Sequence, residues 1–351
     1  MRSKKVLLAN SLLLLALSIF VGIPILTDKI FKFEAGISGN TSLILSGCVS
    51  VLALGGISLL YCKIIKRNFT SVMVLKRISI KQFILVILVA VGTYIFAVGV
   101  NLISMKIFPV AIKDSQEISK VITSSSTLLG LIVVILIPAF FEEVFFRGVL
   151  LDAYEGVNKK IKYLLLILIF ATFHGNVMQI VYVLFLGLIL LKVREYTGTL
   201  LGSITLHAVN NGISYALSKV SMYFMKVQEA GIKNGSIDPK KVVTPTDAMN
   251  ISLPQVIISA SIFFLIGGTI LYINLRKLKE YKAKMEGLKF TTEVPEVREE
   301  NLLEDDKLVN GENLRNEENL RNEEIINVDK NQYIPLVIYF VIMTVLVVLR
   351  Y

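Results

Sequence analysis

Long runs of apolar residues restrict the fold of this chain more than any other feature of its sequence. A membrane hydrocarbon core of about 30 Å is crossed by about 20 helical residues, because each residue adds about 1.5 Å. Runs of that length lie at 6–26, 43–62, 83–108, 128–151 and 256–275. The chain is also 54% hydrophobic and only 18% charged, which is too apolar for a soluble domain of 351 residues. These observations predict an all-α bundle of transmembrane helices.

Shorter apolar runs lie between and after these long ones. Residues 163–173 and 177–191 predict either two short spans or one re-entrant pair, and 199–217 predicts a further span. A last run at 334–349 follows a long polar stretch. We therefore expect about eight spans, with the last run as a ninth, arranged around a polar cavity.

Basic residues indicate how the spans are oriented, because short cytoplasmic loops carry an excess of Lys and Arg. Such clusters precede the first run and follow the second and fourth runs, which predicts a cytoplasmic N-terminus. The first run is too long for a signal-peptide core and lacks a clear cleavage site, which favours an uncleaved anchor. The formal charge of +10 is spread over these loops, which argues against a nucleic-acid partner. The lysine, isoleucine and asparagine content is typical of AT-rich genomes and suggests a bacterial plasma membrane.

The sequence divides into segments by composition. Residues 1–127 hold the first transmembrane helices, and residues 128–218 hold the polar motifs described below. Residues 219–280 are predicted to form an outer loop and one further transmembrane helix. Residues 281–332 are acidic, contain the hexapeptide ENLRNE twice and predict a largely disordered cytoplasmic linker. Residues 333–351 contain the last apolar run, which either spans the membrane or docks elsewhere.

Charged side chains interrupt the fourth apolar run, where each costs at least about 2.5–3.5 kcal/mol on insertion scales. Glu143 and Arg147 are four residues apart and share one face of a helix, so they are predicted to pair. Glu142 points about 100° away and is left without that partner. Pro138 removes a backbone donor and favours a kink toward a polar cavity. The pattern predicts one acid in excess, with a structural ion-pair network as the alternative.

The chain contains only two histidines, and both lie in apolar segments. His174 follows the run 163–173, where a lone histidine is most often a satisfied core residue. His207 and Asn211 are four residues apart, so one helical face presents an imidazole and a carboxamide together. Two such donors are suited to an oxyanion, where each contributes about 2.7–4 kcal/mol. Interhelical hydrogen bonding, worth about 1 kcal/mol, is the alternative interpretation.

A carboxylate base, a histidine that shares the proton of the attacking water, and two oxyanion donors are the groups that amide hydrolysis requires. Three other interpretations remain open at this point. A non-enzymatic scaffold or immunity protein would use the polar groups for helix packing, and a transporter would use Glu142 as a proton carrier. The zinc motif HExxH is absent, yet Glu142, His174 and His207 would together make a two-histidine, one-carboxylate zinc site.

The three polar motifs resemble those of the CAAX-protease and bacteriocin-processing family, also called the Abi family, which is related to Ras-converting prenyl-protein endopeptidases. The motifs are EExxxR at 142–147, FxxxH at 170–174 and HxxxN at 207–211, in the family's order. The resemblance covers residues 128–218. It implies a fold in which a helix bundle surrounds a polar cavity. It also implies that the protein is an intramembrane endopeptidase that acts on a peptide or membrane-protein substrate.

The resemblance also implies a role for each polar residue. Glu142 and His174 would activate water, while His207 and Asn211 would form the oxyanion hole. Glu143 and Arg147 would support these groups. The scheme needs no metal or other cofactor, with zinc kept open as the alternative. We expect a substrate without a prenyl group, because the composition suggests a bacterial member of the family.

Overall fold

A computed structural model describes residues 2–31, 39–238, 251–292 and 329–350 of the chain. Every regular element within these ranges is a helix, which confirms the predicted all-α fold. In chain order the helices are α1 (Arg2–Phe31), α2 (Gly39–Ile64), α3 (Phe69–Met73), α4 (Ile80–Ile107), α5 (Ile112–Ser124), α6 (Thr127–Ala153), α7 (Lys159–Thr172), α8 (Val177–Thr197), α9 (Leu200–Lys233), α10 (Leu253–Thr292) and α11 (Ile334–Arg350).

Among the described residues, 7 helices are long and apolar enough to cross a membrane, namely α1, α2, α4, α6, α8, α10 and α11. Two of the predicted spans do not meet this criterion. Helix α7 has 14 residues, and at about 1.5 Å per residue it is shorter than the hydrocarbon core. Helix α9 is long enough, with 34 residues, but its polar side chains lower its apolarity. The segments predicted as two short spans or one re-entrant pair thus form one short helix, α7, and one helix long enough to span, α8.

Two polar stretches contain more helix than the sequence predicts. Helix α9 continues to Lys233, although a loop is expected from residue 219, and α10 continues to Thr292, beyond the expected end at 280. These extensions are rich in Lys, Glu, Ala and Met, which have high helix propensity even when they are polar. Residues 239–250 and 293–328, including both copies of ENLRNE, lie outside the described residues.

Helices α4 and α10 form the most extensive helix pair of the bundle. A Cβ atom at Gly92 would lie 2.8 Å from the backbone nitrogen of Leu271, and one at Gly267 would lie 2.5 Å from that of Phe96. Only glycine allows the two backbones to approach this closely, as is common where membrane helices pack. This pair stands beside α8 and α9, which carry or flank the polar motifs.

The last apolar helix, α11, docks against α1 and α7. The Tyr339 hydroxyl is buried and donates to the Ile169 carbonyl of α7 at 3.0 Å. Just before α11, the Gln332 carbonyl accepts from Asn10 Nδ2 of α1 at 2.9 Å. The Asn10 Oδ1 atom in turn accepts from the Tyr154 hydroxyl at 2.7 Å. Helix α11 is therefore both long enough to span and part of the bundle, and it contacts the helix that leads to His174.

Candidate active site

The acid pair lies on α6 between two wide, π-helical turns. These turns cover Leu131–Leu136 and Val144–Val149, and the regular segment between them is Ile137–Glu143. A π-helical turn inserts one extra residue and changes which side chains face the interior, and such turns are frequent at functional sites. The second turn is buried at every residue. The two turns thus determine how the adjacent glutamates are presented to the other helices.

The Asn211 side chain of α9 is anchored on the backbone of α6. Its Nδ2 atom donates to the carbonyl oxygen of Val134 at 3.2 Å. Val134 lies in the first π-helical turn, four residues before Pro138, which has no N–H to donate. Asn211 thus supplies a side-chain donor to the stretch of α6 that precedes the proline.

Glu143 is the centre of a buried ion network. Its Oε1 atom accepts from Arg147 Nη1 at 3.1 Å and lies 2.9 Å from His207 Nδ1. The three residues are 0%, 1% and 3% exposed, respectively, so the charges of the glutamate and the arginine compensate each other away from water. The predicted pair of Glu143 and Arg147 is present. The contact with His207 adds a connection between α6 and α9 that the sequence does not reveal.

Arg147 is held by further contacts that fix its guanidinium group. Its Nη2 atom donates to the Gly187 carbonyl of α8 at 3.3 Å, and its Cζ atom lies 3.9 Å from the centroid of the Phe170 ring. The same ring makes edge contacts with His174 and His207, at centroid distances of 5.2 and 6.2 Å. Phe170, the first residue of the FxxxH motif, is thus the apolar surface around which the charged residues assemble.

Glu142 differs sharply from its neighbour. Its side chain is 20% exposed, and its Oε2 atom is buried without a hydrogen-bond partner in the described part of the protein. The nearest basic group is His207 Nε2, at 4.0 Å. This is beyond hydrogen-bond distance. The acid that the sequence predicts to be in excess therefore keeps a carboxylate oxygen that the fold does not use.

His174 lies in the turn that follows α7, where the last carbonyls of the helix lack intrahelical donors. One of these, the Phe170 oxygen, lies 2.9 Å from His174 Nδ1. A carbonyl only accepts, so Nδ1 carries the proton and Nε2 presents its lone pair in the neutral imidazole. The ring interacts electrostatically with Glu142 and His207, which brings both histidines and the unpaired acid into one site.

Asn211 lies at the wall of a cavity of about 240 Å³. Asparagine has two N–H donors, so the bond to Val134 leaves one of them for another acceptor. The cavity is bounded by α4, α5, α8 and α9, and most of its lining side chains carry a polar group. The site residues His174 and His207 do not line it. Asn211 is thus the one predicted site residue that connects the ion network to this cavity.

Several residues of the cavity were not predicted from the sequence. They come from four helices that are distant along the chain and include Tyr94, Asn101, Gln179, Tyr182 and Asn210. Tyr182 also interacts electrostatically with Glu142. A tyrosine hardly interrupts an apolar run, so hydropathy gives no signal for Tyr94 or Tyr182. Asn210 had a signal, since it stands beside Asn211 in an otherwise apolar helix.

The zinc alternative requires three ligands that approach one point. Across the ranges that the structure describes, no group of three His, Cys, Asp or Glu side chains is arranged to hold a metal ion. His207 Nδ1 is engaged by Glu143 and His174 Nδ1 by a backbone carbonyl, so the Nε2 atom of each ring is the one that remains for other contacts.

Comparison with known proteins supports the interpretation of the motifs. Residues 124–213 match the family described as Rce1-like, type II CAAX prenyl endopeptidase Rce1-like. This match confirms the predicted resemblance, and it covers about a quarter of the chain, including all six candidate site residues. The family is one of proteases, so the match supports a membrane endopeptidase of the CAAX type. No curated protein and no solved structure matches the chain.

Proposed function

We propose that this protein is an intramembrane glutamate endopeptidase in which Glu142 acts as the general base toward water. The observation that carries the proposal is the contrast between the two adjacent acids. Each acid has one buried oxygen without a hydrogen-bond partner among the described residues, but the Oε1 atom of Glu143 is engaged by Arg147 and His207 and its side chain is 0% exposed. Glu142 has no arginine or lysine within ion-pair distance among the described residues, and its side chain is 20% exposed. A base must have a free lone pair within reach of the proton that it removes, and Glu142, which water can reach, meets this requirement better than Glu143.

His174 is the proposed partner of Glu142 in the activation of water. Its Nδ1 proton is held by the Phe170 carbonyl, so the lone pair of Nε2 is the part of the ring that remains for chemistry. A carboxylate and an imidazole lone pair can both accept from one water molecule, which orients its oxygen for attack. One proton of that water passes to this pair as the new carbon–oxygen bond forms, and it is later given to the leaving amine.

His207 and Asn211 are the proposed oxyanion donors. Since His207 Nδ1 faces the Glu143 carboxylate, its Nε2 atom would act as an oxyanion donor in the protonated ring. Asn211 contributes the N–H that the Val134 carbonyl does not use. Each donor of this kind stabilises the transition state by about 2.7–4 kcal/mol. Glu143 and Arg147 support the pair by holding His207 in position.

The proposed substrate is a peptide or a segment of a membrane protein. The support for this is the cavity beside Asn211, whose amide and hydroxyl groups can satisfy the N–H and C=O groups of an extended backbone inside the membrane. The matched family is described by a prenyl endopeptidase activity, but a polar cavity suits a polypeptide better than an isoprenoid chain. We also propose a cytoplasmic N-terminus, from the distribution of basic loops, and a bacterial plasma membrane, from the lysine, isoleucine and asparagine content.

The test compares cells that carry the wild-type protein, Glu142→Gln or Glu229→Gln. Glu229 is an exposed residue of α9 and serves as the matched control. A general base contributes about 10²–10⁴-fold to rate, so we expect a peptide product that disappears with Glu142→Gln and persists with Glu229→Gln. The peptides of membrane and medium would be compared by mass spectrometry.

The same variants test a second candidate, a non-catalytic scaffold or immunity protein. The interhelical bonds of His207 and Asn211 to α6 are the observation that favours it. If Glu142→Gln is inserted at normal levels and keeps its cellular function and its product pattern, the endopeptidase proposal is wrong and the scaffold is correct. For the metal-free scheme, we expect turnover by the purified protein to persist after exhaustive chelation; loss of both zinc and activity would overturn it.

A further inference from the structure

A second, larger pocket, which shares no lining residue with the Asn211 cavity, has a volume of about 670 Å³. It is bounded by the end of α6, the start of α7 and the end of α8, and it falls within the range of about 300–1,000 Å³ typical of small-ligand sites. Basic side chains predominate in its lining, namely Arg67, Arg147, Lys159, Lys162 and Arg194. The three acids in the lining, Asp152, Glu155 and Glu195, leave a cationic excess.

The acids that could neutralise this excess are largely committed. Asp152 pairs with Lys5 and Arg67, and it also accepts from the Tyr61 hydroxyl. Glu195 pairs with Lys159 and accepts from a tyrosine hydroxyl. Asp152 and Glu195 already contact their own cations and do not offset the charge of Arg194, while Glu155 forms no ion pair within the described ranges.

Arg194 is a buried cation in the lining of this pocket. The residue is only 9% exposed, and its Nε atom has no hydrogen-bond partner among the described residues. It has no ion pair within 4.0 Å in the described ranges, whereas the more deeply buried Arg147 pairs with Glu143 at 3.1 Å. Arg194 also interacts electrostatically with Glu143, but that carboxylate already pairs with Arg147. Buried cations are normally paired and hydrogen-bonded, so the unpartnered Nε atom leaves Arg194 able to bind a further anion.

The N-terminus of α7 points to the same conclusion. Asn158 caps this helix by accepting from the backbone N–H groups of Lys160 and Ile161, and the first turn contains no acidic residue. The first turn of a helix carries partial positive charge and favours anions, yet here it holds lysines. Lysines at this position are repelled by the partial positive charge of the helix N-terminus. A bound anion would attract both the lysines and the helix N-terminus.

We propose that this pocket binds a phosphate group, most specifically that of an anionic membrane lipid, with Arg194 as its central cation. The guanidinium group matches the geometry of phosphate oxygens, and basic pockets between transmembrane helices suit lipid headgroups. The pocket opens among the basic loops that the proposed orientation places at the cytoplasmic leaflet. The catalytic candidates Glu142, His174 and His207 do not line it, and the supporting residue Arg147 is the point where it adjoins the proposed active site.

The experiment measures lipid binding to the purified full-length protein in detergent by native mass spectrometry. Phosphatidylglycerol is the anionic probe, phosphatidylcholine is the zwitterionic control, and inorganic phosphate is added as a competitor. The variants are Arg194→Gln, Arg194→Lys and the control Arg276→Gln, which removes an exposed guanidinium on α10. Thermal unfolding without lipid shows which variants are folded.

We expect phosphatidylglycerol to bind at least ~10-fold more tightly than phosphatidylcholine, a difference of about 1.4 kcal/mol. Arg194→Gln should abolish this preference, and Arg276→Gln should keep it. If Arg194→Gln does not fold, Arg194→Lys tests the proposal instead. Lysine lacks the two parallel N–H donors of the guanidinium group, so this substitution should weaken binding of phosphatidylglycerol. If inorganic phosphate displaces phosphatidylglycerol, the pocket is a general phosphate site. If it does not, the pocket is specific for the lipid headgroup. Equal binding of both lipids, or unchanged binding by a folded Arg194 variant, would overturn the proposal whether or not the protein is a protease.

Discussion

Glu142 and Glu143 are adjacent in the sequence, yet their side chains have different surroundings. Successive helical residues point about 100° apart, so Glu143 faces α9 and the arginine while Glu142 faces the histidines without a bond. The pairing of Glu143 with Arg147 was predictable, because both partners lie on one helix. The contact of Glu143 with His207 was not, because it joins residues 64 positions apart.

Glu143→Gln should destabilise the protein far more than Glu142→Gln. The first substitution leaves Arg147 buried without its counter-charge, and breaking a buried pair in this way costs about 3–5 kcal/mol. The second removes a charge that no described group neutralises by hydrogen bonding. Thermal unfolding of both variants in the same detergent measures the difference. Equal loss of stability would show that Glu142 also has a structural partner.

Asn211→Ala should lower kcat rather than raise KM, because an oxyanion donor acts in the transition state. The expected loss in kcat is about 10²–10³-fold, with a loss of stability of about 1 kcal/mol from the bond to Val134. Ser221→Ala, at an exposed position on the same helix, is the control and should leave both constants unchanged. A variant with normal kcat and reduced stability would assign Asn211 to helix packing alone.

At the scale of helices, most elements were predictable from apolar periodicity and length, and the exceptions have physical causes. Apolar runs in the sequence predict both α7 and α9 as spans. They do not show that α7 is too short to cross the bilayer, or that polar side chains lower the apolarity of α9. The close contact of α4 and α10 had no signal in hydropathy, since glycine is neutral on such scales. It depends on backbone geometry instead.

Gly267→Ala and Gly268→Ala form a matched pair that tests this contact. A methyl group at residue 267 would lie 2.5 Å from the backbone of α4, which cannot move aside, whereas one at 268 has no neighbour nearer than 3.8 Å. We expect Gly267→Ala to destabilise by about 1–3 kcal/mol. Gly268→Ala should be neutral or stabilising, because alanine favours helices by about 1 kcal/mol over glycine. Similar melting temperatures for the two variants would contradict the packing of α4 on α10.

Tyr339→Phe tests whether α11 supports the helix that precedes His174. It removes the hydroxyl that donates to the Ile169 carbonyl, and such a bond contributes about 1 kcal/mol. Tyr223→Phe, which changes an exposed tyrosine of α9, should have no effect. Chemical denaturation followed by helix content compares them, and an unchanged midpoint for Tyr339→Phe would mean that the contact contributes nothing.

At the scale of the whole molecule, the family match covers residues 124–213, while the helices before and after it form the walls around that segment. The motifs made the active segment predictable because their spacing follows helical periodicity. The assembly of the walls was not predictable, because it depends on long-range contacts such as those of Asn10 and Tyr339. The orientation in the membrane is a prediction from loop charge.

Cysteine labelling tests that orientation. In a protein with Cys48 and Cys62 replaced by serine, we expect a membrane-impermeant maleimide to label Ser236→Cys in intact cells. Ser71→Cys should be labelled only after lysis, since it lies on the short helix α3 within the basic segment between α2 and α4. Both serines are exposed in the structure, so access is limited by the membrane alone. The reverse pattern would place the N-terminus outside.

The scarcity of histidine has a practical consequence for spectroscopy. The chain contains only two imidazoles, and both contact the Phe170 ring in the candidate site. Selective ¹⁵N-histidine labelling would therefore report on the candidate active site without background from the rest of this 39.1 kDa protein. His174 and His207 make different Nδ1 bonds, to a carbonyl and to a carboxylate, so their nitrogen resonances should be separable. A bound inhibitor would then be detectable through two signals alone, even in a bilayer.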